Sequence, residues 1–300
     1  MQILITGGTG YIGRALCARL QQRGDQVTVL TRQPSAAASK LGSNCRFVAK
    51  LDDIAATEHI DAVINLAGEP IADRRWTAKR KELLEKSRIG VTQDLLALMR
   101  RLKHKPTTLI SGSAVGYYGD CGDNIVTEFT NPHDEFSHRL CAAWEMQALR
   151  AKAMGTRVCV VRTGVVVGPD GGFLGRLLPV FRLGLGGRLG DGSQWFSWIH
   201  RDDYVNLLLF LLDNESLSGL FNGTAPNPVT NRDFTKIFAK ALHRPAFFHV
   251  PAWVLRKLLG ELSGLLLTGQ RVIPKNALAA GFVFAYPDLA SALKQILGKK

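Results

Sequence analysis

Short apolar runs alternate with amphipathic stretches along the first half of the chain. Gln2–Thr6 is the first such run. Gln26–Leu30, 46–49, 61–66, 107–111 and 157–161 repeat it. The runs are almost continuous in apolar residues, as expected of strands covered on both faces. Between them apolar residues recur at helical spacing. Ala15, Leu16, Ala18 and Leu20 follow the first run, with Gly24 as the helix-ending glycine, and 77–102 and 138–153 carry the same signal. Strands alternating with helices predict an α/β fold with a doubly wound parallel sheet.

The texture changes near residue 170. Gly171-Gly172 and 184–192 read as glycine-rich loops, followed by helical patterns at 202–213, 231–242 and 251–268 and a short strand and helix signal in 274–297. The expected division is a sheet domain over 1–168 and a smaller, mainly helical lobe over 169–300. The ligand cleft is expected between them, beside the strand ends. The longest apolar stretch, 252–268, is interrupted by Arg256, Lys257 and Glu261. It reads as an amphipathic or buried helix, not a membrane span. Ile3-Leu4-Ile5 is too short and lacks the basic flank of a secretory signal.

Composition changes this picture little. The chain has 300 residues, 46% apolar and 21% charged, an ordinary globular balance with length enough for a core. The net charge of +13 comes from scattered basic residues, with no nucleic-acid module. It reads as a basic surface plus arginines that hold phosphates, not as a nucleic-acid surface. Cysteines 17, 45, 121, 141 and 159 are odd in number and lack CxxC spacing. Reduced thiols in a cytoplasmic protein, and no metal site, are the expectation.

The candidate chemistry begins at Thr6-Gly-Gly-Thr-Gly-Tyr-Ile-Gly13. Gly7 permits a tight turn, Gly10 lets the backbone approach a diphosphate, and Gly13 allows a helix to pack on the strand. The helix N-terminus then meets the diphosphate with free N–H groups. Thr9, Tyr11 and Ile12 complete the turn. The second strand ends Leu30-Thr31-Arg32, where a carboxylate would accept from a ribose 2′-OH. Arg32 would instead hold a 2′-phosphate, so the expected cofactor is NADP(H) rather than NAD(H). The plain alternative is a solvated surface arginine.

Together with Asn65-Leu-Ala-Gly68, Ser111-Gly-Ser-Ala-Val-Gly-Tyr-Tyr-Gly119, Arg162-Thr-Gly-Val-Val-Val-Gly168 and Trp198-Ile-His-Arg-Asp-Asp203, this motif resembles the extended short-chain dehydrogenases/reductases. Gly68-Glu-Pro-Ile71, Arg75-Trp76, Ser87-Arg88, Phe181-Arg-Leu-Gly-Leu-Gly-Gly187 and Gly269-Gln-Arg-Val-Ile-Pro274 narrow the likeness. They resemble the atypical, NAD-dependent epimerase-like proteins of the SDR39U/YfcH type. The resemblance spans essentially the whole chain. It implies a Rossmann sheet, NADP binding and a helical C-terminal lobe, and supplies no substrate. It also implies that Leu66, Ala67 and Gly68 run beside the adenosine ribose and that Val166 lies near the nicotinamide amide. Arg88 replaces the family's helix asparagine. It is either a phosphate-reaching group or an ordinary helix-face arginine.

The resemblance further implies a catalytic Tyr with a Lys four residues on, and a Ser that orients the substrate oxygen. Ser113 matches the Ser, with Ser111 a weaker candidate. The Tyr–Lys pair is missing: Glu145 sets the register, which puts Ser137 and Cys141 in the two positions. Tyr117, Tyr118 and His138 are the remaining proton-transfer candidates, with turn packing and a solvated helix face as their plain alternatives. Val165 stands where nucleotide-sugar epimerases carry Asn. Arg176, Arg182, Arg188 and Arg201 could bind another anion, and Trp195, Phe196 and Trp198 could stack on a ring or pack between lobes. His200 and Asp202-Asp203 read as a structural turn and helix N-cap. The expectation is thus an NADP(H)-dependent oxidoreductase or epimerase-like enzyme acting on a small anionic or aromatic substrate. The alternative is an NADPH-binding protein without catalysis.

Overall fold

A computed structural model describes residues 1–42 and 44–298, so residue 43 of the expected first domain and 299–300 of the second lie outside the described residues. The first half runs β1 (Gln2–Thr6), α1 (Tyr11–Gln22), β2 (Gln26–Leu30), α2 (Pro34–Leu41), β3 (Cys45–Val48), β4 (Ala62–Asn65), α3 (Ala78–Glu85), α4 (Val91–Arg101), β5 (Thr108–Ala114), β6 (Ile125–Val126), α5 (Phe136–Leu149), β7 (Arg157–Thr163) and β8 (Val165–Val167). The second continues α6 (Gly172–Arg182), β9 (Gly187–Leu189), β10 (Trp195–Phe196), β11 (Trp198–His200), α7 (Arg201–Asp213), β12 (Gly219–Gly223), β13 (Val229–Thr230), α8 (Asn231–Ala241), β14 (Phe248–Val250), α9 (Ala252–Leu259), α10 (Gly264–Leu267), β15 (Arg271–Val272), α11 (Lys275–Ala279) and α12 (Leu289–Gly298).

Seven of the described strands form one sheet in the order β3-β2-β1-β4-β5-β7-β12, and every pairing is parallel. Chain order reverses between β1 and β4, which opens a crevice at their C-terminal ends. Leu16, Cys17 and Leu20 of α1 and Leu207, Leu208 and Leu211 of α7 cover one face. Leu95, Leu96 and Met99 of α4 and Ala148 of α5 cover the other. A separate core of Phe181, Trp198, Phe234, Phe238 and Leu293 builds the second lobe.

Several boundaries differ from the sequence reading. The 77–102 helix contains a widened π turn at Lys86–Gly90, which divides it into α3 and α4. The 251–268 helix breaks at Gly260, whose φ of +60° an α-helix cannot hold. The Gly171-Gly172 loop instead opens α6, because those glycines lie against the Tyr11 ring. The boundary at 168 does not separate the layers, since α7 and β12 belong to the main sheet and its core.

Candidate functional site

The glycine turn is pressed from two sides. A Cβ on Gly7, whose φ is +71°, would lie 2.5 Å from the Leu66 carbonyl oxygen, and one on Gly13 would lie 2.2 Å from the Gly7 oxygen. The turn therefore passes beneath the loop after β4, with α1 packed directly on it. The Gly10 N–H donates to Gly7 O at 3.0 Å, and Gly10 has no side chain to cap α1. The first-turn N–H groups are left for a ligand, and their geometry suits a diphosphate. Thr6 Oγ1 donates to Asn65 Oδ1 at 2.6 Å and accepts from the Ala67 N–H at 3.2 Å, which ties β1 to the 66–68 loop. Thr9 and Ile12 are half-buried, and Ile12 packs on the sheet core.

Tyr11 reaches across the cleft. Its hydroxyl donates to Pro169 O at 3.0 Å, its ring lies against Gly172, and the Arg201 guanidinium sits 5.2 Å above it. Burial pushes its phenol up to about 12. Tyr11 thus joins the two halves of the site by packing.

At the end of β2 the Arg32 side chain is 91% exposed, and its partner is a single carboxylate oxygen of Glu69 at 3.5 Å. Thr31 Oγ1 accepts from the Gln33 N–H at 3.3 Å. Arg88 behaves differently. Its guanidinium packs under Gly68 and donates to Glu69 O at 3.0 Å and Leu84 O at 3.2 Å. Burial holds its pKa below the usual arginine range. Arg88 therefore clamps the loop after β4 and is not extended toward a phosphate. The π turn aims both Ser87 and Arg88 at this loop, and Ser87 Oγ accepts from the Glu69 N–H at 3.1 Å.

Ser113 and Tyr118 lie along one buried polar chain. Ser113 Oγ donates to Glu145 Oε1 at 2.6 Å, and Arg162 grips both oxygens of that carboxylate, at 2.9 and 2.8 Å. Arg162 Nη1 also donates to Tyr118 Oη at 3.0 Å, which donates to Asn222 Oδ1 at 2.7 Å. Tyr118 is fully buried, and burial pushes its phenol up to about 12. This corrects the reading of Tyr118 as a proton donor, since its hydroxyl is enclosed and spent on structure. Ser111 is also buried, with its hydroxyl on Gly112 O.

Tyr117 is half-buried. Its ring lies 3.4 Å from the Arg162 guanidinium and 4.9 Å from the His138 ring. Among the described residues its hydroxyl makes no hydrogen bond, while His138 Nδ1 is 2.8 Å from Tyr117 O. Ser137 is buried against Glu135. Burial, then the Glu145 charge, pushes the Cys141 thiol up to about 11. No ammonium stands in for the missing lysine on α5.

The presumed substrate side is largely structural. Phe196 stacks among Phe173 and Phe234, and Trp198 is fully buried with its indole N–H on Asn227 O. Trp195 donates to Asp123 at 2.8 Å and carries the Arg271 guanidinium over its ring. Arg176 pairs with Asp73, Arg201 donates to Pro169 O, and Arg182 and Arg188 are exposed. Val165 and Val166 pair with Trp198 and Ile199 in a two-stranded ribbon. His200 caps α7 by accepting from the Asp202 N–H at 3.1 Å, while Asp203 accepts from the Ala285 and Tyr286 N–H groups. The five cysteines are buried free thiols. Among the described residues no helix is long and apolar enough to cross a membrane, and no acidic, His or Cys cluster is arranged to hold a metal.

Sequence reasoning missed Glu69, the Glu145–Arg162 pair and Asn222. Glu145 served there only as a register marker, and Asn222 lies on the unread strand β12. The Glu145 spacing and Arg162 at a strand end were the available signals.

A parallel sheet reversing at β1/β4, with a glycine turn at the reversal, defines the dinucleotide-fold class. The profile of the NAD dependent epimerase/dehydratase family matches residues 3–222, and a domain of unknown function, DUF1731, matches 250–296. The chain belongs to this epimerase family. It is 40% identical to the epimerase family protein YfhF of Bacillus subtilis, covering 100% of this chain and 99% of that one. It is 39% identical to the chloroplastic SDR39U1 homolog of Arabidopsis thaliana, covering 99% and 87%. The crystal structure of human SDR39U1 with NADPH superposes with a TM-score of 0.91 at 36% identity over 100% of both chains. UDP-glucuronic acid 4-epimerase from Bacillus cereus shares the fold, with a TM-score of 0.80 at 19% identity over 99% and 98%. The chain is an atypical extended short-chain dehydrogenase/reductase of the SDR39U1 type.

Proposed function

We propose that this chain binds NADP(H) and uses it for hydride transfer, as an oxidoreductase or epimerase-like enzyme, on a small anionic or aromatic molecule. The observation that carries the cofactor reading is Arg32, a solvent-facing guanidinium where the second strand ends beside the glycine turn. The NADPH bound to the human relative supports it. Gly7, Thr9, Gly10, Tyr11, Ile12 and Gly13 would form the diphosphate cradle. Thr31 and Arg32 would take the 2′-phosphate, Leu66, Ala67 and Gly68 would flank the ribose, and Val166 would lie near the nicotinamide. The cofactor supplies the hydride. Ser113 then acts as an acceptor that orients the substrate, because its proton is committed to Glu145. Tyr117 is the candidate proton donor, with His138 beside it. We place the protein in the cytoplasm with a small-molecule partner, not nucleic acid or membrane.

The same commitment of Ser113, with Tyr118 enclosed, favours a second reading in which NADPH is bound without turnover. Fluorescence titration with NADPH and NADH, for wild type and Arg32→Asp, tests the first. NADPH is expected to bind at least about tenfold tighter, and the variant to lose that margin. Equal wild-type affinities would sink the reading. Single-turnover loss of NADPH absorbance against a carbonyl panel separates catalysis from binding alone.

A further inference from the structure

Glu69 occupies an unusual position beside Arg32. Its backbone is pinned twice, its N–H donating to Ser87 Oγ at 3.1 Å and its carbonyl accepting from Arg88 at 3.0 Å. Its carboxylate lies between two guanidinium groups, 3.5 Å from Arg32 and 3.6 Å from Arg80. The Arg32 side chain is 91% exposed, whereas that of Arg80 is only 10% exposed and also donates to Pro70 O. The carboxylate therefore has one mobile partner and one fixed partner. Arg32 and Arg80 on one carboxylate leave a surplus of one positive charge at this edge of the crevice, with Arg88 held on backbone oxygens beneath Gly68.

We propose that Glu69 is a specificity-determining residue for the cofactor's 2′ position. Its carboxylate stands in for a phosphate on Arg32, and Arg80 holds it aside when a phosphate arrives. This rests on the NADP(H) reading above. A phosphomonoester brings about −1.5 to −2 charges at neutral pH, enough to satisfy that surplus. A ribose 2′-OH brings none, so Glu69 stays on Arg32 and the surplus is left unmatched. The carboxylate thus weakens phosphate binding while it restrains Arg32. Two anions sharing one guanidinium stand on the order of 5–6 Å apart, where surface repulsion alters affinity several-fold.

Two substitutions then shift NADPH affinity in opposite directions. Glu69→Gln removes the competing charge, and the NADPH Kd is expected to fall about fivefold with the NADH Kd within about twofold of wild type. Arg80→Met leaves Arg32 as the side-chain partner of Glu69, so the NADPH Kd rises by a similar factor. Both are read by fluorescence titration of the intact protein with each nucleotide, at low and high salt, and screening should shrink both effects. A Glu69→Gln protein whose preference for NADPH over NADH is unchanged or weakened overturns the proposal, and decides alone should Arg80→Met fail to fold. Wild type binding both nucleotides equally would instead overturn the NADP(H) reading itself.

Discussion

His200 has no exposed surface, and its Nδ1 accepts the hydrogen bond that caps α7. An accepting Nδ1 carries no proton, so this cap requires the neutral ring with its proton on Nε2, where Gln295 Oε1 receives it at 3.2 Å. Burial holds His200 below the ordinary histidine range, against the opposing pull of Asp202 and Asp203 and with the help of Arg201. The unfolded chain takes up this proton first as pH falls, near about pH 6.5. Stability from the neutral ring is therefore complete above that pH and is lost as pH drops toward the folded value. Wild type should lose melting temperature between about pH 7 and pH 5. His200→Asn keeps a capping oxygen and should flatten that slope. Parallel slopes in the two proteins would show that His200 does not carry the effect. Asp203, which burial raises and the His200 charge lowers, responds to the same substitution, so the slope difference reports the pair.

Elements were legible where periodicity was long and interruptions few. Strands β1 to β5 and β7 and helix α1 follow directly from their apolar runs. The turn at Gly7–Gly13 was readable because its glycines answer to contacts that any side chain would break. What stayed hidden was set by tertiary packing. Strand β12 is bounded by glycines and has Asn222 facing a buried network. Helix α6 opens on two glycines and contains Pro179, so its pattern reads as loop. The widened turn at Lys86–Gly90 leaves no mark on hydrophobic spacing, and the clamp by Arg88 became visible only with the loop that it holds. Gly269-Gln-Arg-Val-Ile-Pro274 was recognised as a motif without a role. In the fold it is a strap in which β15 pairs with β6, Gln270 donates to Gly119 O, and Val272 N–H donates to Ser197 Oγ. A Cβ on Gly269 would lie 2.2 Å from Trp195 O and 2.8 Å from Trp195 N, backbone atoms that cannot turn aside. Gly269→Ala should therefore cost about 1–3 kcal/mol, a loss of about 2–4 °C in Tm for each kcal/mol. Gly264→Ala, where the added Cβ meets nothing within 4 Å, should be neutral or slightly stabilising. Equal Tm losses in the two variants would remove the strap's close approach as the cause.

At the scale of the whole molecule, the sheet domain draws on chain beyond residue 168. Strand β12 completes the sheet by pairing with β7, from Gly219↔Cys159 to Gly223↔Thr163. Leu207, Leu208 and Leu211 of α7 share a core with Ile5, Leu16 and Leu20. Arg157 on β7 donates to Leu211 O, Leu212 O and Leu217 O, and Arg23 forms a two-pronged pair with Asp213 at 2.9 and 2.8 Å. Tyr11 of the glycine turn needs Pro169 O and the α6 glycines for its seat. A 1–168 fragment would leave β7 as an open edge, Arg157 without those three carbonyls, and the apolar face of α1 uncovered. It should lack a cooperative melting transition, bind a hydrophobic dye, and lose NADPH affinity by far more than tenfold relative to the intact chain. Thermal melts and nucleotide titrations of fragment and full chain measure this directly. A fragment that melts cooperatively and binds NADPH within about tenfold of the intact chain would show the first 168 residues to be an independent cofactor domain, with the later segments serving the substrate side alone.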